Sequence, residues 1–235
     1  ENDAVNCLNL VKNGGYTYDT WVKVAKDIHV KFYPSGHVLG GAICVVRLGY
    51  RKNKVYIGFS GDLGRRNGIL LPAPEDIEEP LDYWFIESTY GGQSHPKRFI
   101  DIKRLYSLVR QATERRSKII IPCFTLERFQ EIGFILSEAM SEVKIPKVPV
   151  YFDSPMATNI TGVFGQYWQT PAFNESAKLH FNPFDLNKNP FITSIASKEE
   201  SLALAKKAGP CIIIAGSGMG DAGRVRTHLV TELHN

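Results

Sequence analysis

The alternation of apolar and polar positions changes character near residue 92. Before that point, a predicted helix over 4–12 precedes residues 28–33, which alternate between the two classes and predict a strand with one buried face. Two runs rich in β-branched and aromatic residues, 42–48 and 55–59, enclose a polar segment and predict a β-hairpin. A further apolar run, 83–86, predicts one more strand.

After residue 92, predicted helices alternate with short, almost continuously apolar strands. Apolar residues recur at three- and four-residue steps over 99–114, which is typical of a helix with one buried face. The other predicted helices are 126–140, with Thr125 as candidate N-cap, a helix from Met156, and 198–207. The predicted strands are 118–122, 148–152 and 210–215. This order predicts an α/β fold with a mostly parallel sheet flanked by helices.

Composition describes an ordinary globular chain of 235 residues, with 43% hydrophobic residues and a formal net charge of +4. The small positive charge permits a polyanionic partner without pointing to one. No apolar run approaches the roughly 18 residues that a membrane span needs, so no membrane partner is expected. The four cysteines, Cys7, Cys44, Cys123 and Cys211, lack CxxC spacing, and three of the four lie in apolar runs. Free thiols and a reducing, cytoplasmic location are therefore expected.

Three predicted strand ends carry side chains that can bind a metal or move a proton. His37 lies in a glycine-rich loop before the hairpin, Asp62 lies in a glycine-rich loop after it, and Glu87 follows the run 83–86. A hairpin carries both loops to one end of a sheet, so His37 and Asp62 are expected to be neighbours. An imidazole and a carboxylate make half of a zinc site. Taken singly, the same residues also fit ordinary loop and turn positions.

A second group of candidates follows the apolar strands of the later part. The loop 215–224 runs from a strand into a helix and contains Ser217 and Gly218, so its backbone N–H groups suit an anion. Its glycines also satisfy GxGxxG, a dinucleotide-binding pattern that is weak by itself. Arg128 is placed either to bind a phosphate with two hydrogen bonds or to pair with a neighbouring glutamate.

The remaining polar candidates have weaker patterns. Arg224 and His228 are one helical turn apart and are placed to face the same anion. Asp153 is a candidate helix N-cap or binding group, and Pro155 in the first helical turn favours the structural role. The other histidines of the later part have no partner pattern and are expected at the surface: His95, His180 and His234.

Together these stretches resemble successive motifs of the metallo-β-lactamase fold and, more narrowly, of the β-CASP nucleases. That group includes the bacterial RNase J type and the endonuclease subunit of the eukaryotic mRNA 3′-end cleavage complex. In the family's order, the similar segments are 36–40 (GHVLG), 60–65 (SGDLGR), 87–91 (ESTYG), 122–124 (PCF) with 127–131 (ERFQE), 153–157 (DSPMA), and 216–219 (GSGM) with 223–224 (GR). They extend over nearly the whole chain.

The resemblance implies a nuclease that uses two zinc ions to hydrolyse RNA phosphodiester bonds, in an endonucleolytic or 5′-exonucleolytic mode. By this resemblance His37 would bind one zinc ion and Asp62 would bridge both. Glu87 would orient the histidine that transfers protons. RNA is the implied partner, and homodimerisation is left open. The residues that would hold RNA phosphate are Arg128, Ser217, Gly218 and Arg224.

The chain departs from the family pattern in one respect. The HxHxDH motif, which supplies most zinc ligands, and two later histidine motifs are absent. We therefore expect a piece of a longer protein that is inactive alone, with part of a metallo-β-lactamase αββα sandwich over 1–92 and most of an inserted β-CASP domain over 93–235. Two other functions remain open: a nuclease-like subunit that binds RNA or partners without cleaving, and a nucleotide-dependent α/β enzyme that uses the loop near Gly218.

Overall fold

The computed structural model describes residues 15–50, 53–94, 98–179 and 181–233. The chain divides into two compact units: unit 1 comprises residues 1–68 and 72–91, and unit 2 comprises 69–71 and 92–235. Several sequence predictions lie outside the described residues, namely the helix over 4–12, the thiol of Cys7 and the surface histidines His95, His180 and His234.

Unit 1 contains a five-stranded sheet whose spatial order follows the chain. Its strands are β1 Val22–Ala25, β2 Ile28–Pro34, β3 Ala42–Tyr50, β4 Asn53–Phe59 and β5 Tyr83–Phe85. The first four pair antiparallel, and β5 pairs parallel to β4. The predicted strands and the pairing of the hairpin are therefore confirmed. The described part of unit 1 forms this one sheet and no helix, so the second sheet and the helices of the expected αββα sandwich stay a prediction.

The buried face of β2 is not the one that its apolar residues suggest. Lys31 is 6% exposed and Tyr33 is 1% exposed, whereas Phe32 is half-buried. The Lys31 ammonium lies 2.5 Å from Asp19 and 3.2 Å from Glu79, and the Tyr33 hydroxyl donates to Glu79. These contacts, foremost that with Asp19, raise the pKa of Lys31 above its usual value. A buried ammonium is tolerated because carboxylates surround it.

Unit 2 contains a four-stranded sheet in which every pairing is parallel. Its strands are β6 Lys118–Pro122, β7 Val150–Asp153, β8 Ile192–Ser194 and β9 Cys211–Ala215, in the spatial order β6-β9-β7-β8. Its helices are α1 Arg98–Glu114, α2 Arg128–Ser141, α3 Pro155–Tyr167, α4 Lys198–Lys206 and α5 Gly223–Glu232, with a short 3-10 helix Ala177–Leu179. The predicted α/β class and parallel sheet are confirmed. No helix in the described part of the chain is long and apolar enough to cross a bilayer.

Strand β9 is the centre of unit 2, and all five of its residues are buried. Ile212 and Ile214 belong to a core cluster with Phe129 and Phe152, while Ile213 belongs to a second cluster. Successive side chains of a strand point to opposite faces, so the two clusters lie on the two sides of the sheet. A strand covered on both faces needs apolar residues at every position, which explains the continuous run in the sequence.

Helix α2 does not have the predicted N-cap. It begins at Arg128, and the N-cap position is Glu127, a buried residue with φ 67°. The hydroxyl of Thr125 instead contacts the Met156 sulfur at 3.6 Å. The prediction of Thr125 as a cap is therefore wrong, because the chain makes one more irregular turn before the helix starts.

The described cysteines are free, as expected. Cys123 and Cys211 are buried, and Cys44 is half-buried. Burial raises the pKa of the Cys123 thiol to about 12. Because the thiolate is the reactive form, Cys123 is an inert core residue.

Candidate functional site

His37 and Asp62 are neighbours in unit 1. The Nε2 atom of His37 lies 3.7 Å from Oδ2 of Asp62, and the two side chains are 36% and 73% exposed. His37 lies in the loop between β2 and β3, and Asp62 lies in the loop that follows β4. Antiparallel pairing of β3 with β4 returns the chain to the same end of the sheet. This is the arrangement that the hairpin predicted.

Glycines hold the two loops against each other. The backbone N–H of Gly64 donates to the Ser35 carbonyl at 2.8 Å. A Cβ atom on Gly64 would overlap the carbonyl group of Gly36 and lie 2.7 Å from the backbone nitrogen of His37. Gly36 itself has φ +65°, a conformation that favours glycine. The loops can therefore approach this closely only because residue 64 lacks a side chain, and glycine at position 36 adopts the backbone conformation that the contact needs.

Glu87 is fixed by hydrogen bonds beside the Asp62 loop. Its carboxylate accepts from the backbone N–H groups of Thr89 at 3.0 Å and Leu63 at 3.2 Å. Its own N–H donates to the Ser60 hydroxyl at 2.9 Å. The backbone donors, first Thr89 and then Leu63, lower the pKa of Glu87. The group is therefore an oriented carboxylate at neutral pH, with further lone pairs available to a ligand or side chain.

His37 and Asp62 fit part of a zinc site. Imidazole nitrogen and carboxylate oxygen are both common zinc ligands, and two ligands at ~2.0–2.1 Å from one tetrahedral ion are roughly 3.4 Å apart. The observed 3.7 Å is close to that separation. Among the described residues, however, no group of three His, Cys, Asp or Glu side chains could hold a metal ion. A complete site therefore needs further ligands.

Arg128 lies at the start of α2, as expected, and pairs with a glutamate of the same helix. Its Nη1 atom lies 2.7 Å from Oε2 of Glu131, and Arg98 lies 3.4 Å from the other carboxylate oxygen. This is the surface pairing that the sequence left open as the alternative. The Arg128 side chain is 41% exposed and a guanidinium has five N–H donors, so its phosphate contact stays a prediction.

Ser217 and Gly218 have partners within unit 2. The Ser217 hydroxyl donates to Oδ1 of Asp221 at 2.5 Å. This hydrogen bond lowers the pKa of Asp221, so the partner is a carboxylate at neutral pH. Because a hydroxyl has one hydrogen, Ser217 in this conformation has none to donate to a phosphate. Gly218 remains as a backbone donor, and the phosphate-binding role of the loop stays a prediction.

The glycine spacing of the same loop has a packing explanation. A Cβ atom on Gly218 would lie 2.7 Å from the ring of Phe124, and one on Gly223 would lie 2.5 Å from the Gly216 carbonyl oxygen. Gly220 has φ +73°, a conformation that favours glycine, so close contacts and backbone conformation inside unit 2 account for the GxGxxG pattern. No further feature of the described residues favours a dinucleotide.

Arg224 does not extend toward an external anion. Its Nη1 atom contacts Oδ1 of Asp153 at 2.8 Å and the Ile195 carbonyl at 3.0 Å, and Nη2 donates to the Ala196 carbonyl. His228 is fully buried, and its Nε2 lies 2.7 Å from Oδ2 of Asp153. The two residues do face one anion, but that anion is Asp153. We therefore assign Arg224 an internal structural role in place of the phosphate contact.

Asp153 is the centre of a buried polar network that the sequence did not reveal. Its carboxylate is fully buried and accepts from His228, Ser201 and Arg224. Burial by itself would raise the pKa of Asp153, but these three donors outweigh it and hold the pKa below its usual value. The expected structural role is present, although the N-cap of α3 is Ser154, whose hydroxyl accepts from the backbone N–H at 157. The only local signal was the one-turn spacing of residues 224 and 228.

Comparison with known proteins agrees with these motifs. Residues 129–235 match the Beta-Casp domain. The chain is 32% identical to Ribonuclease TTHA0252 of Thermus thermophilus over 216 residues, which are 90% of this chain and 47% of that protein. It is 32% identical to an RNase J-like protein of Methanocaldococcus jannaschii over 232 residues, 97% of this chain and 49% of that protein. It is also 33% identical to cleavage and polyadenylation specificity factor subunit 3 of Dictyostelium discoideum, over 85% of this chain and 24% of that protein.

The similarity to these relatives extends through both units, whereas the domain match lies in unit 2 alone. The chain spans about half the length of the first two relatives and a quarter of the third. The motif order, the α/β architecture and these similarities agree: residues 129–235 match the Beta-Casp domain, and the chain is similar over both units to β-CASP nucleases of the metallo-β-lactamase fold.

Proposed function

We propose that this chain is part of a metal-dependent ribonuclease that hydrolyses RNA phosphodiester bonds. The observation that carries the proposal is the 3.7 Å separation between His37 and Asp62, two exposed metal-binding side chains from different loops. The names of the relatives, a ribonuclease, an RNase J-like protein and a cleavage and polyadenylation factor subunit, support RNA as the substrate. Because the chain spans half or less of these proteins, the activity is proposed for the whole protein.

The metal in this proposal is zinc. His37 supplies an imidazole nitrogen and Asp62 a carboxylate oxygen, and the other ligands come from groups beyond this pair. When bound, zinc supplies Lewis acidity that offsets charge on the phosphodiester and makes water a usable nucleophile at neutral pH. Glu87, ionised and held by two backbone N–H groups, orients the group that transfers a proton. Unit 2 holds the RNA strand, and homodimerisation stays a prediction.

A second candidate function is RNA binding without cleavage. One observation favours it. In the described part of the chain, two metal-binding side chains come together, and no third joins them. A site with two protein ligands holds its metal weakly, because each lost ligand lowers affinity. The two functions differ in whether the bound strand is cut.

Zinc titration of the purified chain tests the proposed ligands. We expect His37→Ala and Asp62→Ala each to weaken zinc binding by at least about 10- to 100-fold. Removing a residue that only hydrogen-bonds to a metal ligand already has an effect of this size. Asp76→Ala is the matched control, because Asp76 is an exposed carboxylate of the same unit and should leave binding unchanged. Isothermal titration calorimetry with elemental analysis gives the affinity and the stoichiometry. Equal zinc binding by both variants and the wild type would rule the pair out as ligands.

Incubation of the whole protein, in place of this chain alone, with a fluorescent single-stranded RNA then separates the two functions. Hydrolysis that requires zinc, stops with a chelator and is lost in Asp62→Ala identifies an enzyme. RNA that is bound but stays intact with saturating zinc identifies the non-cleaving subunit. Absence of RNA binding in the wild type contradicts both.

A further inference from the structure

Phe124 is a large aromatic side chain left exposed at the edge of the unit 2 sheet where ligands are commonly bound. It lies two positions after Pro122, the last residue of β6, and its side chain is 60% exposed. The loops after β6, β7 and β9 all leave the same edge, because these strands are parallel neighbours. In open α/β sheets the carboxyl ends of the strands form the usual binding crevice.

The ring of Phe124 lies against the loop proposed to hold an RNA phosphate. An ideal Cβ on Gly218 would approach the ring atoms Cδ2, Cε2 and Cγ within 2.7–2.9 Å. Gly218 therefore covers part of the ring and fixes its position, and the remaining surface stays open. This contact brings an aromatic ring next to Gly218, whose backbone N–H is the candidate phosphate donor, whereas the N–H of Ser217 donates to the Ala222 carbonyl at 3.1 Å.

The loop that carries Phe124 is held on both sides. The Cys123 N–H donates to the Ala215 carbonyl at 3.0 Å, and Cys123 is 4% exposed. On the other side, the buried Gln130 side chain donates to the Thr125 carbonyl at 3.3 Å. The exposed ring is therefore presented by an ordered backbone. An ordered aromatic loses little conformational freedom when a second flat group stacks on it.

The side chains around Phe124 favour a neutral flat ligand over a second charged group. Exposed apolar residues follow Phe124 and Gly218 in sequence or contact Thr125: Leu126, Met219 and Met156, with exposures of 40%, 77% and 64%. The segments that follow Phe124 and Gly218 carry charges of both signs, since Arg128 pairs with Glu131 and Asp221 is a carboxylate. An apolar surface suits the flat face of a base, and the backbone N–H of Gly218 remains the candidate phosphate donor beside it.

From this geometry we propose that Phe124 is a stacking platform for an unpaired base of the RNA strand, next to the phosphate at Gly218. The proposal rests on the proposed function, because it assigns a residue that holds the same RNA. Any of the four bases can stack on an aromatic face. The platform therefore favours single-stranded RNA with unstacked bases and does not discriminate between nucleotides.

Two RNA probes of equal charge test the platform. One probe is a fluorescein-labelled ten-nucleotide oligoadenylate, and the other has the same backbone with abasic riboses. The full chain is titrated into each probe in a buffer that contains a chelator, and fluorescence anisotropy reports binding. We expect Phe124→Ala to weaken oligoadenylate binding by roughly 5- to 100-fold, as loss of one stacked base does, and to leave the abasic strand unaffected. Phe124→Trp should retain the affinity, and its added tryptophan fluorescence should be quenched by oligoadenylate.

Tyr167→Ala is the matched control. Tyr167 is an aromatic residue of unit 2 with 51% exposure, but it lies at the end of α3, about 18 Å along the helix from the sheet edge. Its removal should change neither the affinity for oligoadenylate nor the affinity for the abasic strand. Unchanged oligoadenylate binding in Phe124→Ala, or an equal loss on both strands, overturns the platform while RNA binding by the chain stands. A wild type that binds neither strand overturns the proposed function as well.

Discussion

Asparagine in place of Asp153 is expected to destabilise unit 2 by about 3–5 kcal/mol, the usual effect of removing one partner from a buried ion pair. The carboxylate and His228 are fully buried, and the Arg224 side chain is 22% exposed. Asparagine keeps the size of the side chain but leaves the guanidinium without a countercharge. Hydrogen exchange of the β9 amides with increasing urea measures this change in unit 2 separately from unit 1.

Asp185→Asn is the matched control for this substitution. Asp185 also pairs with a cation, Lys188 at 3.0 Å, but the lysine is 85% exposed. An exposed pair contributes at most about 1 kcal/mol, so this variant should be nearly as stable as the wild type. Similar losses in the two variants would contradict the structural role of the buried network.

The same network predicts a pH dependence. Because the folded pKa of Asp153 is lowered, its contribution is fully present above the unfolded pKa of about 3.9. That contribution is lost as pH falls through the lower folded pKa. The groups that face the carboxylate are Ser201, Arg224 and His228. Wild type and Asp153→Asn should therefore differ most near neutral pH and converge below about pH 4 in acid titrations followed by circular dichroism. A constant difference across this range would contradict the assignment.

Alanine in place of Gly64 is expected to separate the loops that carry His37 and Asp62. The new Cβ would overlap the Gly36 carbonyl group and lie 2.7 Å from the His37 nitrogen. Both are backbone atoms, so no side chain can rotate away, and the cost should reach or exceed the about 1–3 kcal/mol typical of overpacking. Hydrogen exchange of the β3 and β4 amides measures the loss of stability, and zinc titration measures the effect on the pair.

Gly162→Ala is the control, and it is expected to raise the free energy of unfolding where Gly64→Ala lowers it. Gly162 lies inside α3, and a Cβ there would meet no atom within 4 Å. Alanine should stabilise the helix by about 0.5–1 kcal/mol, because glycine loses more backbone entropy on folding. A stable Gly64→Ala protein with unchanged zinc affinity would show that the loops can relax without moving the pair.

Local patterns in the sequence determined most of the secondary structure. The hairpin was predicted because β-branched runs flank a polar segment, and pairing within a hairpin is local. The same locality explains why the proximity of His37 and Asp62 was predicted correctly, since each residue adjoins one end of the paired strands. The continuously apolar β9 and the three- and four-residue periodicity of α1 likewise predicted a parallel sheet covered by helices.

Only the tertiary structure decided which polar groups pair. Asp153 meets Arg224 and His228, residues 71 and 75 positions away, because β9 inserts between β6 and β7. Lys31 is buried because Glu79, 48 positions along the chain, reaches it. Periodicity reports which face of an element is apolar, but it carries no information about strand order or about distant partners. The sequence by itself therefore determined most of the elements, the family resemblance and the proximity of His37 to Asp62, whereas the internal role of Arg224 required the fold.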